Sequence, residues 1–203
     1  TTDAHWLRTT GYPVIKKVAQ FYWNYLEKFQ DRCGGDIYPS ACLESLPAYR
    51  NVFQDLLYFR YAFRTARHAA EVLGIDEDWQ QRWSEGLERV PEYKIVEYGG
   101  KKRLAEHKEV EGAEQYSSTS FHYAGYIAGP LIFPGEDVDP ESDSELAQVI
   151  RESMEEFRNE EAYTHNFLSF SLEVPAARLK VDKAYAMVRH AALACRYPSG
   201  NPS

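Results

Sequence analysis

Apolar residues at helical spacing over residues 49–73 constrain the fold more than any other feature of this sequence. They recur every three or four residues for about seven turns, at about 3.6 residues per turn. These positions are Val52, Phe53, Leu56, Leu57, Phe59, Phe63, Ala66, Ala70 and Leu73. Gly74 follows as a C-terminal stop. A stripe of this kind is buried against other packed elements, so the sequence predicts a long core helix here.

A second helix is predicted over residues 12–29. Pro13 stands at an allowed position in its first turn, and Cys33-Gly34-Gly35 marks its end. Its apolar positions are Val14, Val18, Phe21, Tyr22, Tyr25, Leu26 and Phe29. Together with the long helix, this pattern predicts an all-α fold.

A shorter third helix is predicted over residues 77–90, capped by Asp76 and ended by Pro91. Three tryptophans at helical spacing are expected in the core rather than as platforms for a sugar ring. They are Trp23, Trp79 and Trp83. Three arginines lie between the apolar positions of the long helix and are predicted to form a solvated face. They are Arg60, Arg64 and Arg67.

Residues 91–143 contain too many Gly and Pro breakers for a continuous helix. A short strand is expected over residues 93–98, with a turn at Gly99-Gly100, in an otherwise irregular region. Helices resume at Ser142-Asp-Ser-Glu145, which has the spacing of a capping box. Two more are predicted over residues 165–172 and 181–195. The result is about six helices in consecutive antiparallel pairs, forming a single domain over residues 1–203.

Composition excludes some classes of partner. The formal net charge is −8 and the isoelectric point is near 5.3, which argues against a nucleic acid, because phosphate binding needs clustered Lys and Arg. No apolar run is long enough to span a membrane, and the chain is expected to be soluble. Thr1 begins it without a Met or a signal-like segment. We therefore expect that its beginning was removed, and a secreted or periplasmic location follows only if the full-length protein carries a signal.

No metal or cofactor is predicted. The acidic run over residues 135–143 lacks the alternating ligand spacing of a calcium loop. Cys33, Cys42 and Cys195 match no zinc or redox spacing. Cys33 and Cys42 either pair across the loop between them or remain free thiols.

Two loop carboxylates are the candidate reactive groups. Glu44 lies in the Pro- and Ser-rich break after the second helix, and Glu106 follows the third helix. Carboxylates on loops of one helical scaffold suit acid/base work on a polar, uncharged substrate. The aromatic content is 14%, with 15 Tyr and 4 Trp, and such rings line saccharide clefts as well as cores. The sequence thus favours a saccharide substrate, with two solvated loop acids as the alternative.

A series of landmarks carries a resemblance to a known family. Residues 11–26 are similar to the helix that enters the active-site region of (α/α)6-toroid glycoside hydrolases, especially the inverting α-L-fucosidases of family 95. Pro39, Ser40 and Glu44 keep the register of that family's Pro-Ser-x-Ser-Pro-Glu-Asn loop. Later landmarks are similar to Ala69-Ala70-Glu-Val-Leu73-Gly74, Val90-Pro91, Phe133-Pro134-Gly135 and Glu145-Leu146-Ala147. Leu104-Ala-Glu106-His107 falls where the family has its general acid, with His107 in place of a Trp.

The resemblance implies antiparallel helical hairpins forming part of an (α/α)6 toroid. In the family, the Asn residues that position the water lie before this segment and the base Asp lies after it. Residues 1–203 would then be the central part of a larger catalytic domain, with the remainder of the same toroid as partner. The catalytic base is not assigned to a residue of this chain.

The resemblance also implies roles for site residues. Glu106 is the predicted general acid, and Glu44 is either the alternative acid or a group that binds a sugar hydroxyl. His122 and Tyr123 are predicted to bind substrate, although His122 suits a backbone hydrogen bond equally well. The substrate would be an oligosaccharide or glycoconjugate, with an α-L-fucoside as one candidate. The alternative is a non-catalytic helical domain that binds a saccharide or a protein partner.

Overall fold

A computed structural model of the chain describes residues 3–40, 49–105, 107–108, 137–139 and 141–157. The chain divides into two compact units, one of Thr1–Tyr93 with His107–Glu109, and one of Lys94–Glu106 with Val110–Ser203. The helices are α1 (Ala4–Trp6), α2 (Tyr12–Tyr25), α3 (Phe53–Leu73), α4 (Glu77–Arg89) and α5 (Glu145–Phe157). The strands are β1 (Ile95–Tyr98) and β2 (Lys101–Leu104). The predicted all-α class is confirmed, since the described residues are mostly helical and form one small sheet.

The helix predicted over residues 12–29 is present and is longer than expected. A π-helical turn, Leu7–Gly11, joins α1 to α2, and a second one, Leu26–Gln30, extends α2 into a 3₁₀ turn that ends before Gly34. In the first π turn the Tyr12 N–H donates to the Leu7 carbonyl. The wider turn lies where Pro13 interrupts regular α-helical hydrogen bonding, because proline has no N–H and its ring crowds the preceding turn.

The buried face of α2 differs from the prediction. Val14 and Phe21 were expected in the core, but they are 62% and 65% exposed, and Val18 and Phe29 are exposed as well. The side chains that enter the core are Tyr12, Ala19, Trp23 and Leu26. Two apolar stripes therefore run along this helix, and the packing of α3 and α4 selects the one that contains Trp23.

Helix α3 starts at Phe53, four residues later than predicted, and ends before Gly74 as predicted. Residues 49–52 do not join the helix but form other contacts. Tyr49 forms a backbone bridge with Ser40, and Asn51 takes a positive φ of 50°. The Asn51 side-chain oxygen accepts the Ile37 N–H at 2.8 Å. These long-range bonds outweigh the helical propensity of residues 49–52.

Helices α2, α3 and α4 are successive antiparallel neighbours. Arg8, just before α2, donates to the carbonyl of Leu73 at the end of α3 at 3.0 Å. Arg60, near the start of α3, donates to the carbonyl of Val90, just after α4, at 3.0 Å. The core of this unit contains Tyr12, Ala19, Trp23, Leu26, Ile37, Leu56, Phe59, Phe63, Ala66, Ala69, Ala70, Leu73, Trp83 and Val90. The predicted core positions of Trp23 and Trp83 are thus confirmed, and Trp79 packs against this core from its edge.

Arg60 does not belong to a solvated face. Its side chain is only 14% exposed, and it donates to the carbonyls of Val90 and Pro91 at 3.0 and 3.1 Å. Helix α4 ends here, and Pro91 cannot continue it, so these carbonyls need donors from elsewhere. Arg67 matches the prediction better, because it is partly exposed and pairs with Glu71 one helical turn away.

Asp76 does not cap α4 with its side chain. The residue takes a left-handed backbone conformation, and its backbone carbonyl accepts the N–H groups of Trp79 and Gln80. Its carboxylate instead accepts the Tyr12 hydroxyl at 2.5 Å and the Lys16 ammonium at 2.7 Å. These bonds lower the pKa of Asp76. The carboxylate therefore joins the start of α4 to α2.

In the second unit, β1 and β2 form an antiparallel hairpin in which Ile95 pairs with Leu104 and Tyr98 with Lys101. Gly99 and Gly100 both have positive φ, 60° and 74°, as a two-residue hairpin turn requires. The predicted strand and turn are confirmed, and β2 was not anticipated.

Helix α5 begins at Glu145, two residues later than a capping box at Ser142 requires. The Ser144 hydroxyl, not that of Ser142, accepts a helical N–H, from Ala147 at 3.3 Å. Glu145 forms an ion pair with Lys102 instead of reaching back to cap the helix. The helices predicted over residues 165–172 and 181–195 lie outside the described residues, as does most of the irregular region. None of the described helices is long and apolar enough to cross a membrane.

The close approach of α3 to α4 predicts that Gly86→Ala destabilises the fold. A Cβ at Gly86 would lie 2.8 Å from the ring of Phe63, which is fully buried. Alanine in a helix interior is normally stabilising relative to glycine, but overpacking at this point is expected to lower the free energy of unfolding by about 1–3 kcal/mol. Urea denaturation measures this change in the free energy of unfolding. The exposed neighbour provides the control: Glu85→Ala should leave the midpoint unchanged, and equal midpoints for both variants would contradict the packing argument.

Candidate functional site

The segment that contains Glu44 is anchored at both ends. Ser40 and Tyr49 form an antiparallel bridge, in which the Ser40 N–H donates to the Tyr49 carbonyl at 3.0 Å and the Tyr49 N–H donates back at 2.6 Å. The Asn51 N–H donates to the Ile37 carbonyl at 2.9 Å, and the Asn51 side chain accepts the Ile37 N–H. The chain thus leaves and re-enters the folded unit at neighbouring points.

A tyrosine of α2 anchors the residues before this segment. The Tyr25 hydroxyl donates to the Tyr38 carbonyl at 2.5 Å and accepts the Tyr38 N–H at 3.0 Å. The Arg50 guanidinium lies over the Tyr38 ring, 4.5 Å from its centroid. A hydroxyl that satisfies both backbone groups of one residue holds that residue without regular secondary structure.

Asp36 is the centre of a polar cluster. It is 8% exposed, and its carboxylate accepts both the Lys108 ammonium, at 2.9 and 2.8 Å, and the Asn51 amide, at 2.7 Å. Arg50 lies 3.4 Å away. Burial alone would raise the pKa of Asp36, but the hydrogen bonds from Lys108 and Asn51 and the positive charges of Lys108 and Arg50 lower it below its ordinary value. The carboxylate is therefore ionised at neutral pH and satisfied by these donors.

The two residues that follow Glu106 join this cluster. The His107 ring stacks on Tyr49 with centroids 3.9 Å apart and planes 10° from parallel. The Lys108 N–H donates to the Arg50 carbonyl at 2.9 Å. The ring at position 107, where a tryptophan was expected, is thus used in packing. The residues that flank Glu44 and those that follow Glu106 belong to one packed cluster.

Asp55 is a second carboxylate that is partly buried, and it bonds to the start of the segment that contains Glu44. It lies in the first turn of α3 and accepts a hydrogen bond from the Ser40 hydroxyl. Its pKa is raised, because the effect of burial exceeds that of the bond from Ser40. The acid group thus takes up a proton at higher pH than an ordinary aspartate.

The predicted site residues themselves lie outside the described residues: Glu106, Glu44, His122 and Tyr123. Their roles stay predictions. The residues that organise the flanks were not predicted from the sequence, namely Asp36, Asn51, Asp55 and Lys108. One signal was available: polar residues directly after a Gly-Gly helix stop and directly before a helix start are placed to bond each other.

Two further features of the described residues are their capacity to bind a metal and the state of Cys33. In the part of the chain that the structure describes, no group of three or more His, Cys, Asp or Glu side chains is arranged to hold a metal ion. Cys33 is a free thiol, and its Sγ lies 3.8 Å from the Tyr38 carbonyl oxygen. Of the two alternatives for Cys33, the structure has the free thiol.

The family model for the glycosyl hydrolase family 95 catalytic domain matches residues 1–199. The class is therefore that of glycosyl hydrolase catalytic domains. The chain belongs to glycosyl hydrolase family 95, and the resemblance drawn from the sequence landmarks is confirmed. No curated protein and no solved structure matches the chain.

The Asp36 cluster predicts a pH-dependent contribution to stability. Asp36→Asn removes the charge that Lys108 and Arg50 face and should lower the free energy of unfolding by about 1–2 kcal/mol at neutral pH. Because the pKa of Asp36 is lower in the folded than in the unfolded protein, this contribution is present above about pH 4. It is lost as the pH falls through the lowered pKa.

Urea denaturation of wild type and Asp36→Asn at several pH values between neutral and acidic measures how the difference in their free energies of unfolding changes with pH. Asp31→Asn is the matched control, since Asp31 is 88% exposed and lies 3.8 Å from Arg89, and it should cost little at any pH. A difference between wild type and Asp36→Asn that grows on acidification would contradict the assignment.

Proposed function

We propose that this chain takes part in the hydrolysis of a glycosidic bond by the inverting, acid/base route, with Glu106 as general acid. Membership of glycosyl hydrolase family 95 carries the reaction class. The observation that supports the assignment to these loops is the cluster of Asp36, Tyr49 and Lys108, which anchors the residues on both sides of Glu44 and those after Glu106.

The chemistry needs one carboxylic acid that protonates the departing glycosidic oxygen and one carboxylate that activates water. In inverting enzymes the two groups are about 6.5–9.5 Å apart, which leaves room for the water. We assign the first role to Glu106. Its neighbour His107 is held by stacking on Tyr49, and a general acid acts efficiently only when its backbone is held in place relative to the leaving oxygen.

For substrate binding we assign Glu44, His122 and Tyr123. A carboxylate and an imidazole bind sugar hydroxyls, and a tyrosine ring packs against the apolar face of a pyranose. An α-L-fucoside is the substrate we favour, within the broader class of oligosaccharides and glycoconjugates. Glu44 is the alternative acid in this scheme.

We further propose that residues 1–203 are the central part of a larger toroidal domain. The exposed stripe of α2 supports this, since Val14, Val18 and Phe21 are large apolar side chains open to solvent on one helix. Contiguous exposed apolar side chains are typical of surfaces that pack against further structure. The rest of the same toroid is the partner that the family resemblance implies.

A non-catalytic helical domain that binds a saccharide or protein is the second candidate. Family membership does not favour it. The core accounts for part of the aromatic content that first pointed to a binding surface, since Tyr12, Trp23, Phe59, Phe63 and Trp83 are all buried there.

The acid assignment predicts a selective loss of activity. In the intact enzyme, Glu106→Gln should slow hydrolysis of an unactivated glycoside by about 10²–10⁴-fold, because its leaving alcohol must be protonated. An activated aryl glycoside, whose leaving group departs unaided, should be affected much less. Steady-state kinetics on the two substrates measures the difference.

Glu44→Gln is the comparison. If Glu44 only binds hydroxyls, this variant should raise KM and leave kcat nearly unchanged. Near-normal turnover of the unactivated substrate by Glu106→Gln would move the acid to Glu44 or end the glycosidase proposal. A circular dichroism spectrum identical to wild type controls for folding.

A further inference from the structure

The hydrogen bond between Ser40 and Asp55 joins the segment that carries Glu44 to a core helix. Ser40 is 7% exposed, and its hydroxyl donates to a carboxylate oxygen of Asp55. Asp55 lies in the first turn of α3, next to Phe53 and Leu56, which are both buried. Its backbone position is therefore fixed by the core of the unit.

Ser40 is also one half of the bridge that brackets residues 41–48. Its N–H and carbonyl bond to Tyr49 at 3.0 and 2.6 Å, and Tyr49 carries the stacked ring of His107. The side chain of Ser40 thus links this side of the bridge to α3. A shift of Ser40 would move the point from which the segment with Glu44 starts.

Among the residues that the structure describes, Asp55 forms no ion pair. Its charge raises the pKa of two tyrosines of α2, Tyr22 and Tyr25. Burial raises the pKa of Asp55 itself. Asp55 is the third residue of α3, where a carboxylate interacts favourably with the helix N-terminus. Its bond to Ser40 adds a link from that helix to the bridge.

We infer that Asp55 is a positioning residue for the hydrolysis proposed above, which accepts the Ser40 hydroxyl and thereby holds the Ser40–Tyr49 bridge, the point from which the segment with Glu44 starts. The inference rests on the proposed function in one respect, the use of Glu44 at the substrate. The structural part, that Asp55 holds the bridge, stands on the hydrogen bonds alone.

The kinetic test compares Asp55→Ala, Asp55→Asn, Ser40→Ala and the Ser40→Ala/Asp55→Ala double variant in the intact protein, with an unactivated glycoside as substrate. Both single alanine variants should lower kcat/KM on the order of 10- to 100-fold, as misplacement of a site group does. The double variant should lose no more than the worse single one, because the two residues act through one bond. Asp55→Asn should retain most activity, since its amide oxygen still accepts the hydroxyl. The loss should fall on KM if Glu44 binds hydroxyls and on kcat if it is the acid.

Glu71→Gln is the control on the same helix. Glu71 is exposed and pairs with Arg67, and its loss should leave the kinetics unchanged. Wild-type kinetics in Asp55→Ala, equal losses in the Ala and Asn variants, or fully additive losses in the double variant would each overturn the inference. Ser40→Ala removes a single hydroxyl, so it keeps the test decisive if Asp55→Ala fails to fold.

Amide hydrogen exchange separates this inference from the proposed function. The Tyr49 and Ser40 amides are both bonded across the bridge, and they should exchange at least about tenfold faster in Asp55→Ala and remain near wild type in Asp55→Asn, because loss of the anchor opens the bridge locally. Unchanged exchange in Asp55→Ala overturns the inference whatever the kinetics. A wild-type protein that hydrolyses no glycoside would overturn the proposed function and leave the exchange result to decide the role of Asp55.

Discussion

The first unit depends on the burial of one face of α3 between α2 and α4. Phe59 and Phe63 lie at the centre of that face, and each fully buried phenylalanine stabilises the fold by about 1.5–3 kcal/mol. Phe59 contacts Tyr22 of α2 with ring centroids 4.4 Å apart. On the other side, Gly86 lets the backbone of α4 approach the ring of Phe63. The connection from α3 to α4 is only residues 74–76, so it returns the chain antiparallel along the same core helix.

Polar side chains close the ends of this core. Gln30 is buried, and its amide donates to the carbonyls of Gly35 and Arg89 at 2.9 and 2.7 Å. Arg89 donates to the Leu26 carbonyl at 3.2 Å, in the π-helical turn that ends α2. Arg60 does the same for carbonyls at the end of α4. Helix ends leave carbonyls without partners, and in this unit long side chains from neighbouring helices supply the donors. Arg60, which the sequence pattern assigned to a solvated face, is largely buried because it serves this role.

Hydrogen bonds and ion pairs between distant side chains also organise the candidate site. Asp36 gathers Asn51, Arg50 and Lys108 from distant parts of the chain, and its negative charge is stabilised because every one of these groups donates or is positively charged. A loop region without regular secondary structure acquires defined flanks in this way. In a glycosyl hydrolase domain such flanks matter, because acid/base catalysis depends on where carboxylates are held more than on which carboxylates are present.

The sequence by itself determined the helical class, the ends of α3 and α4 at Gly74 and Pro91, the hairpin turn at Gly99-Gly100, and, through ordered landmarks, the family. These features follow from local rules, since period, stop residues and turn chemistry act over a few neighbouring residues. Only the tertiary structure decided which stripe of α2 is buried, because Trp23 and Phe21 are equally apolar and the neighbouring helices select between them. It also decided the partners of Asp76 and Asp36, since a carboxylate bonds to whichever donors the fold brings near it, and no local pattern records residues sixty or seventy positions away.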